Sequence, residues 1–77
     1  MQRQVFHSVH NKDGWRVLKG GKAVSKHGTQ RESEAAAKKA GRGAYKRGGL
    51  GQAVLHKKNG TIRTEHTYGK DPEKSRG

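Results

Sequence analysis

The chain has 77 residues, of which 27% are apolar, so it has room for one small domain and little room for the deep cleft of a large enzyme. Its 18 lysines and arginines outnumber six acidic residues and give a formal net charge of +12, which indicates a polyanionic partner. The lack of cysteine excludes disulfides and thiolate metal sites, and no apolar stretch is long enough to span a bilayer.

Composition along the chain also predicts its domain organisation. Residues 1–68 are expected to form one α+β domain, and residues 69–77 a polar, flexible tail. The N-terminus lacks the apolar core of a secretory signal, so the expected location is the cytoplasm.

A three-stranded meander is predicted for the first part of the chain. Branched and aromatic residues predict a strand over Val5–His10, and Asn11–Gly14 has the composition of a turn. Trp15–Lys19 then returns as a second strand. The pair Gly20-Gly21 is typical of a two-residue primed turn, which leads into a third strand through Val24.

The register of this meander decides which side chains face the core. A three-residue loop in the first hairpin would place Val9 opposite Val17, and the glycine turn would place Val24 opposite Val17 as well. Trp15 aligns with these valines, so core packing is favoured over stacking on an unpaired base. Phe6 falls off this face, either as an edge residue covered by the tail or as a contact residue. The predicted core face is Val5, Val9, Trp15, Val17 and Val24.

An amphipathic helix is predicted to begin after Thr29. The segment Thr29–Glu32 is a capping box, in which the hydroxyl and the carboxylate accept hydrogen bonds from N–H groups at the helix start. The pair Gly48-Gly49 is predicted to end the helix. At helical spacing, the buried stripe consists of Ser33, Ala36, Ala37, Ala40 and Ala44, and the opposite, basic stripe of Lys38, Lys39, Arg42 and Lys46.

A second hairpin is predicted around Asn59-Gly60, which joins strands over Gln52–Lys58 and Thr61–Tyr68. Closure by a two-residue loop would pair Leu55 with Thr64 and Lys57 with Ile62, and would place Ala53, Leu55, Ile62 and Tyr68 on the core face. The order βββαββ therefore predicts an α+β fold, with an antiparallel sheet and one amphipathic helix packed on one of its faces.

Several short segments, in this order and spacing, resemble a small bacterial and phage-borne family catalogued as domain of unknown function 2188. They are His10–Val17, Ser25–Glu32, the alanine-rich helix, Leu55–Ile62 and Tyr68–Pro72. The resemblance implies a compact βββαββ protein. Because the family has no assigned activity, the resemblance implies no catalytic residue and no ligand.

Motifs for catalysis and cofactor binding are lacking. Neither a P-loop nor a dinucleotide fingerprint occurs. Gly48–Gly51 matches the Gly-x-x-Gly clamp of KH domains, but a strand follows it here, so a helix end and loop is favoured. His7 and His10 would point to opposite faces of a strand, with no acidic or cysteine co-ligand near by. The five histidines are therefore expected to be scattered on the surface or at sheet edges: His7, His10, His27, His56 and His66. We therefore expect no enzymatic activity, no cofactor and no metal.

Two basic surfaces are candidates for binding a polyanion. The first, which is favoured for phosphate contacts, is the helix stripe of Lys38, Lys39, Arg42 and Lys46, extended by Arg47. The second is the solvent face of the sheet, where a β-ribbon would suit a DNA groove: Arg16, Ser25, His27, His56, Lys58, Thr61 and Arg63.

The leading hypothesis is a small, non-enzymatic nucleic-acid-binding protein of a prokaryote or phage. Double-stranded DNA, held through phosphate contacts, is favoured over RNA, and the protein is expected to be a monomer or homodimer with no membrane partner. The alternative is a phage or accessory protein-binding module, an inhibitor or adaptor that docks on an acidic surface of a larger host protein. A third reading is that the charge is a solvated surface, although +12 exceeds what solubility requires.

Overall fold

The computed structural model describes residues 3–69 and shows one helix on one face of a five-stranded sheet. In chain order the elements are β1 (Arg3–Asn11), β2 (Gly14–Lys19), β3 (Lys22–His27), α1 (Gln30–Lys46), β4 (Leu50–His56) and β5 (Ile62–Tyr68). The predicted α+β class and the βββαββ order are confirmed. Apart from Gly69, the predicted C-terminal tail lies outside the described residues.

The sheet is mixed, with the strand order β3-β2-β1-β4-β5. All neighbouring strands are antiparallel except β1 and β4, which are parallel. The prediction of a wholly antiparallel sheet was wrong at this central pair. After the three-stranded meander, α1 returns the chain to the end of the sheet where β1 begins, and β4 therefore runs alongside β1 in the same direction.

The first hairpin has a two-residue loop, Lys12-Asp13, because Asn11 pairs directly with Gly14. The side chain of Asn11 accepts a hydrogen bond from the N–H of Asp13 (2.9 Å), and Gly14 has a positive φ of 124°. The pairing of Ser8 with Val17 replaces the predicted pairing of Val9 with Val17. A shift of one residue turns every side chain of a strand to the other face.

This shift changes which side chains are buried in the core. Phe6, which was placed off the core face, is 5% exposed and packs in the core, whereas Val5 and Val9 lie on the sheet face away from α1. The prediction that Trp15 is a core residue is confirmed, since it is 7% exposed. Val17 is also buried, as predicted.

The second hairpin has the predicted Gly20-Gly21 turn, whose φ values of 60° and 84° belong to a primed turn. A bulge then shifts the register, so that Val17 pairs with Ser25 and Leu18 with Ala23. Val24 is the extra residue of the bulge and is 53% exposed. Its predicted pairing with Val17 and its predicted place in the core were therefore wrong.

In the third hairpin, Lys57 lies opposite Thr61, and its N–H donates to the carbonyl of Thr61 (2.7 Å). The predicted two-residue loop would have placed Lys58 there instead. His56 rather than Lys57 pairs with Ile62, which is 53% exposed instead of buried. A bulge at Arg63 then restores the predicted pairing of Leu55 with Thr64. Arg63 is thus the extra residue on β5.

The helix follows the sequence prediction at both ends and on its buried side. The N–H of Glu32 donates to the hydroxyl of Thr29 (3.2 Å) at the start. At the end, Gly48 has a φ of 94° and the N–H of Gly49 donates to the carbonyl of Ala44 (3.1 Å), as in a Schellman motif. The predicted buried stripe packs against the sheet: Ser33, Ala36, Ala37, Ala40 and Ala44.

Small residues bring α1 very close to the sheet. A Cβ on Gly51 of β4 would overlap the carbonyl oxygen of Gly41 on α1, so the two backbones touch. The ring of Tyr68 lies over the other side of Gly41. Closer to the start of α1, the fully buried hydroxyls of Ser8 and Ser33 form a hydrogen bond of 2.7 Å. These contacts determine the height at which α1 sits above the sheet.

Candidate functional site

A groove of about 800 Å³ lies between α1 and the strands β2 and β3, and we call it the cationic groove. Its rim carries five basic side chains, Lys19, Lys39, Arg42, Lys46 and Arg47. Its remaining lining is polar at Gln4 and apolar at Phe6, Val24, Ala36, Ala40 and Gly43.

Helical periodicity supplies one wall of the cationic groove. Positions three and four residues apart share one side of a helix, so Lys39, Gly43 and Lys46 follow one another along the groove. Alanine at positions 36 and 40 and glycine at 43 keep this wall low. The opposite wall comes from Lys19, at the end of β2, and from Val24, which the β-bulge brings to this side.

The electrostatics of the described residues favour this groove as an anion site. Two acidic side chains elsewhere form ion pairs with arginines: Asp13 lies 3.5 Å from Arg16, and Glu34 lies 3.0 Å from Arg63. None of the described residues that line the cationic groove is acidic. The ammonium of Lys19 lies 5.9 Å from the ring centroid of Phe6, a cation–π distance that holds the charge over the groove.

The predicted basic stripe of the helix is divided by the structure. Lys39, Arg42 and Lys46, with Arg47 after the helix, line the cationic groove. Lys38 instead lies on the side of Glu34, whose carboxyl pKa it helps to lower. Four of the five predicted phosphate contacts on the helix therefore come together.

The second predicted surface, on the solvent face of the sheet, does not come together. Arg16 and His56 lie on the sheet face away from α1, but Ser25 and His27 pair with Val17 and Trp15 and so face the helix side. The remaining members lie elsewhere, with Lys58 and Thr61 in the last hairpin loop and Arg63 at the helix. The prediction of one continuous basic sheet face was wrong because it rested on a register without bulges.

The guanidinium of Arg63 forms an ion pair at the protein surface. Its Nε and Nη2 donate to the two carboxylate oxygens of Glu34, each at 3.0 Å, and Gln30 donates to the same carboxylate. The hydrogen bonds from Arg63 lower the pKa of Glu34, against the effect of burial, and the same contact raises the pKa of Arg63. Arg63 therefore joins β5 to α1, while its side chain stays 48% exposed.

Sequence reasoning missed Lys19, Val24 and Phe6 as members of the groove. The exposed position of Val24 depends on a bulge, and the burial of Phe6 depends on the length of the first loop. Lys19 comes directly before the Gly20-Gly21 turn. Its position at the end of a strand was the one signal in the sequence that could have predicted its place at the edge of the groove.

A histidine pair lies on the sheet face away from α1. Nδ1 of His7 lies 3.0 Å from Nε2 of His56, and Nδ1 of His56 lies 3.0 Å from the carbonyl oxygen of Gly60. Because a carbonyl only accepts, His56 donates from Nδ1, and when both rings are neutral its Nε2 accepts from the Nδ1–H of His7. Burial lowers the pKa of His7, and the charge of His56 lowers it further, against the opposite effect of Glu65.

This pair makes the stability of the fold depend on pH. The pKa of His7 in the folded state lies below its ordinary value of 6.5, so the unfolded chain binds the proton more readily. The free energy of unfolding is therefore expected to fall as the pH drops below 6.5. Urea unfolding at neutral and mildly acidic pH should show a smaller loss for His7→Gln than for the wild type. An equal loss in both proteins would contradict this assignment.

Within residues 3–69, no group of three or more potential metal ligands comes together. Over the same part of the chain, no helix has the length and apolar character needed to cross a membrane. The five histidines do not form a common site, although His7 and His56 contact each other.

A family model matches residues 6–68, and the family is described as uncharacterised protein conserved in bacteria, DUF2188. The match covers most of the chain and confirms the resemblance found in the sequence. Neither a curated protein nor a solved structure matches the chain.

Proposed function

We propose that this protein, which belongs to the DUF2188 family of uncharacterised bacterial proteins, is a non-enzymatic nucleic-acid-binding protein that contacts phosphates through the cationic groove. The observation that carries the proposal is the convergence of five basic side chains on one groove to which the described acidic residues do not contribute. Such a cluster attracts a polyanion and releases the counterions bound to it.

The spacing of the rim suits a phosphate backbone. Lys39 and Lys46 are seven positions apart on α1, which corresponds to about 10 Å along the helix axis. Measured along the axis of a DNA duplex, that length spans about three phosphates of one strand. Lys19 and Arg47 extend the rim beyond the row on the helix. These contacts read no base, so the binding is expected to be independent of sequence.

The proposal is tested by fluorescence anisotropy with labelled duplex DNA, single-stranded DNA and RNA, titrated from low to above physiological salt. In a plot of log affinity against log salt concentration, five phosphate contacts predict a slope of about −4.5 for duplex DNA and about −3.5 for a single strand. A flat slope, or no binding at low salt, would overturn the proposal. Tight binding of a polyglutamate chain in place of nucleic acid would favour the alternative, a module for acidic protein surfaces.

Duplex DNA is the form predicted from the sequence, since charge alone favours the most densely charged polyanion. The rim makes the same kind of contact with either form of nucleic acid. Any preference between duplex and single-stranded nucleic acid therefore depends on the groove lining between the rim residues.

A further inference from the structure

The floor of the cationic groove is apolar, although its rim is charged. The ring of Phe6 lies beneath the floor and is only 5% exposed, so the helix side of the surface open to a ligand comes from Ala36, Ala40 and Gly43. Val24 forms the sheet side. Apolar surface between two sets of cations suits a ligand that is anionic at its edges and apolar in its body.

The exposure of Val24 is the strongest indication that a ligand covers this floor. It is 53% exposed, a large exposure for a valine in a strand. The bulge between β2 and β3 leaves it unpaired and on the groove side rather than in the core. Core packing does not explain this placement. A ligand in the groove would cover the side chain and remove its apolar surface from water.

Duplex and single-stranded nucleic acid differ in what they can offer to such a floor. In a duplex the bases are stacked and paired inside, and the outward surface is phosphate and sugar. A duplex would therefore place phosphates against the basic side chains of the rim but would leave the apolar floor in contact with water. A single strand can turn its bases outward, and their flat faces can then cover apolar surface and remove it from water. The volume of about 800 Å³ lies within the size range of ligand pockets.

We propose that the cationic groove binds single-stranded nucleic acid, with phosphates at the rim and unpaired bases against the apolar floor. This inference rests on the proposed function and names the form of nucleic acid that the groove prefers. The rim provides affinity that depends on salt, and the floor provides affinity that depends on the presence of bases. The two contributions can therefore be measured separately.

The test compares three ligands of equal length by fluorescence anisotropy: oligothymidine, an abasic oligonucleotide, and the oligothymidine–oligoadenine duplex. The abasic strand carries the same phosphates without bases. Oligothymidine is expected to bind about tenfold more tightly than the abasic strand, which corresponds to about 55 Å² of apolar surface removed from water. Its salt slope should equal that of the abasic strand because the phosphate contacts are the same.

Two matched variants assign the effect to the floor. Val24→Ser removes apolar surface from the groove without changing charge, and it is expected to lower the affinity for oligothymidine about fivefold with no change for the abasic strand. Ile62→Ser is the control, because Ile62 is equally exposed, at 53%, but lies on β5 and does not line the groove. It should leave both affinities unchanged.

The outcomes separate failure of this inference from failure of the proposed function. If oligothymidine, abasic strand and duplex all bind equally with a steep salt slope, phosphate binding stands and the inference is overturned. If none of them binds at low salt, both fail. Equal effects of Val24→Ser and Ile62→Ser would also overturn the inference. So would an acidic peptide of alternating glutamate and phenylalanine that binds more tightly than oligothymidine, since it would identify a protein-binding groove.

Discussion

Replacing Gly51 by alanine is expected to destabilise the protein by at least about 3 kcal/mol, because the new methyl group has no space. Its Cβ would overlap the carbonyl oxygen of Gly41 and lie 2.7 Å from the carbonyl carbon. Both atoms belong to the backbone of α1, so relief requires moving the whole helix away from β4. That movement would also open the contacts of Ser33 and Ala37 with the sheet.

The matched control is Gly43→Ala on the same helix. A Cβ at this position would meet only the end of the Arg47 side chain, at 3.4 Å, and this flexible side chain can move. Alanine is the better helix former, so the variant is expected to gain about 0.5 to 1 kcal/mol. Urea unfolding followed by circular dichroism measures both changes. If Gly51→Ala lost no more than about 1 kcal/mol, the close approach of α1 and β4 would be refuted.

Reversing three charges on the rim of the cationic groove is expected to lower the affinity for DNA at least about 100-fold at physiological salt. The variant carries Lys39→Glu, Arg42→Glu and Lys46→Glu. It removes three phosphate contacts and adds three repulsions, so the slope of log affinity against log salt should fall by about 3. All three side chains are exposed on α1, and the fold is expected to persist.

A control with the same change in net charge separates the groove from the overall charge. Lys12, Lys57 and Lys58 are exposed in the loops that follow β1 and β4, and they do not line the cationic groove. Changing these three to glutamate should lower the affinity less than about fivefold. Equal losses in the two triple variants would show that the net charge drives binding and would contradict the placement of the site. Circular dichroism checks that both variants remain folded.

The parts of the fold that depend on neighbouring residues were predictable. Thr29 and Glu32 define the start of α1, and Gly48 its end, because capping hydrogen bonds join residues a few positions apart. The turn at Gly20-Gly21 and the buried alanine stripe follow from equally local rules. The clustering of basic residues on one side of α1 was also readable, since helical spacing is regular.

The strand register was the feature predicted least well. One cause is local, the length of the first loop, and the other is the pair of bulges, which depend on contacts with distant residues. One residue less in the first loop moved Phe6 into the core and Val9 out of it. The bulges at Val24 and Arg63 then shifted the outer pairs. A bulge is favoured by what the extra residue gains elsewhere, here the contact of Arg63 with Glu34, which is 29 positions away in the chain.

The sequence by itself determined the class of the fold, the order of its elements, the two ends of the helix and the strong positive charge, because these depend on composition and on short-range hydrogen bonds. Only the tertiary structure decided that β4 lies parallel to β1, which face of the meander is buried, and that Lys19 and Val24 meet the basic side of α1. These features depend on contacts between segments that are distant in the chain, and such contacts form only when the helix and the sheet pack together. The cationic groove is one of these features.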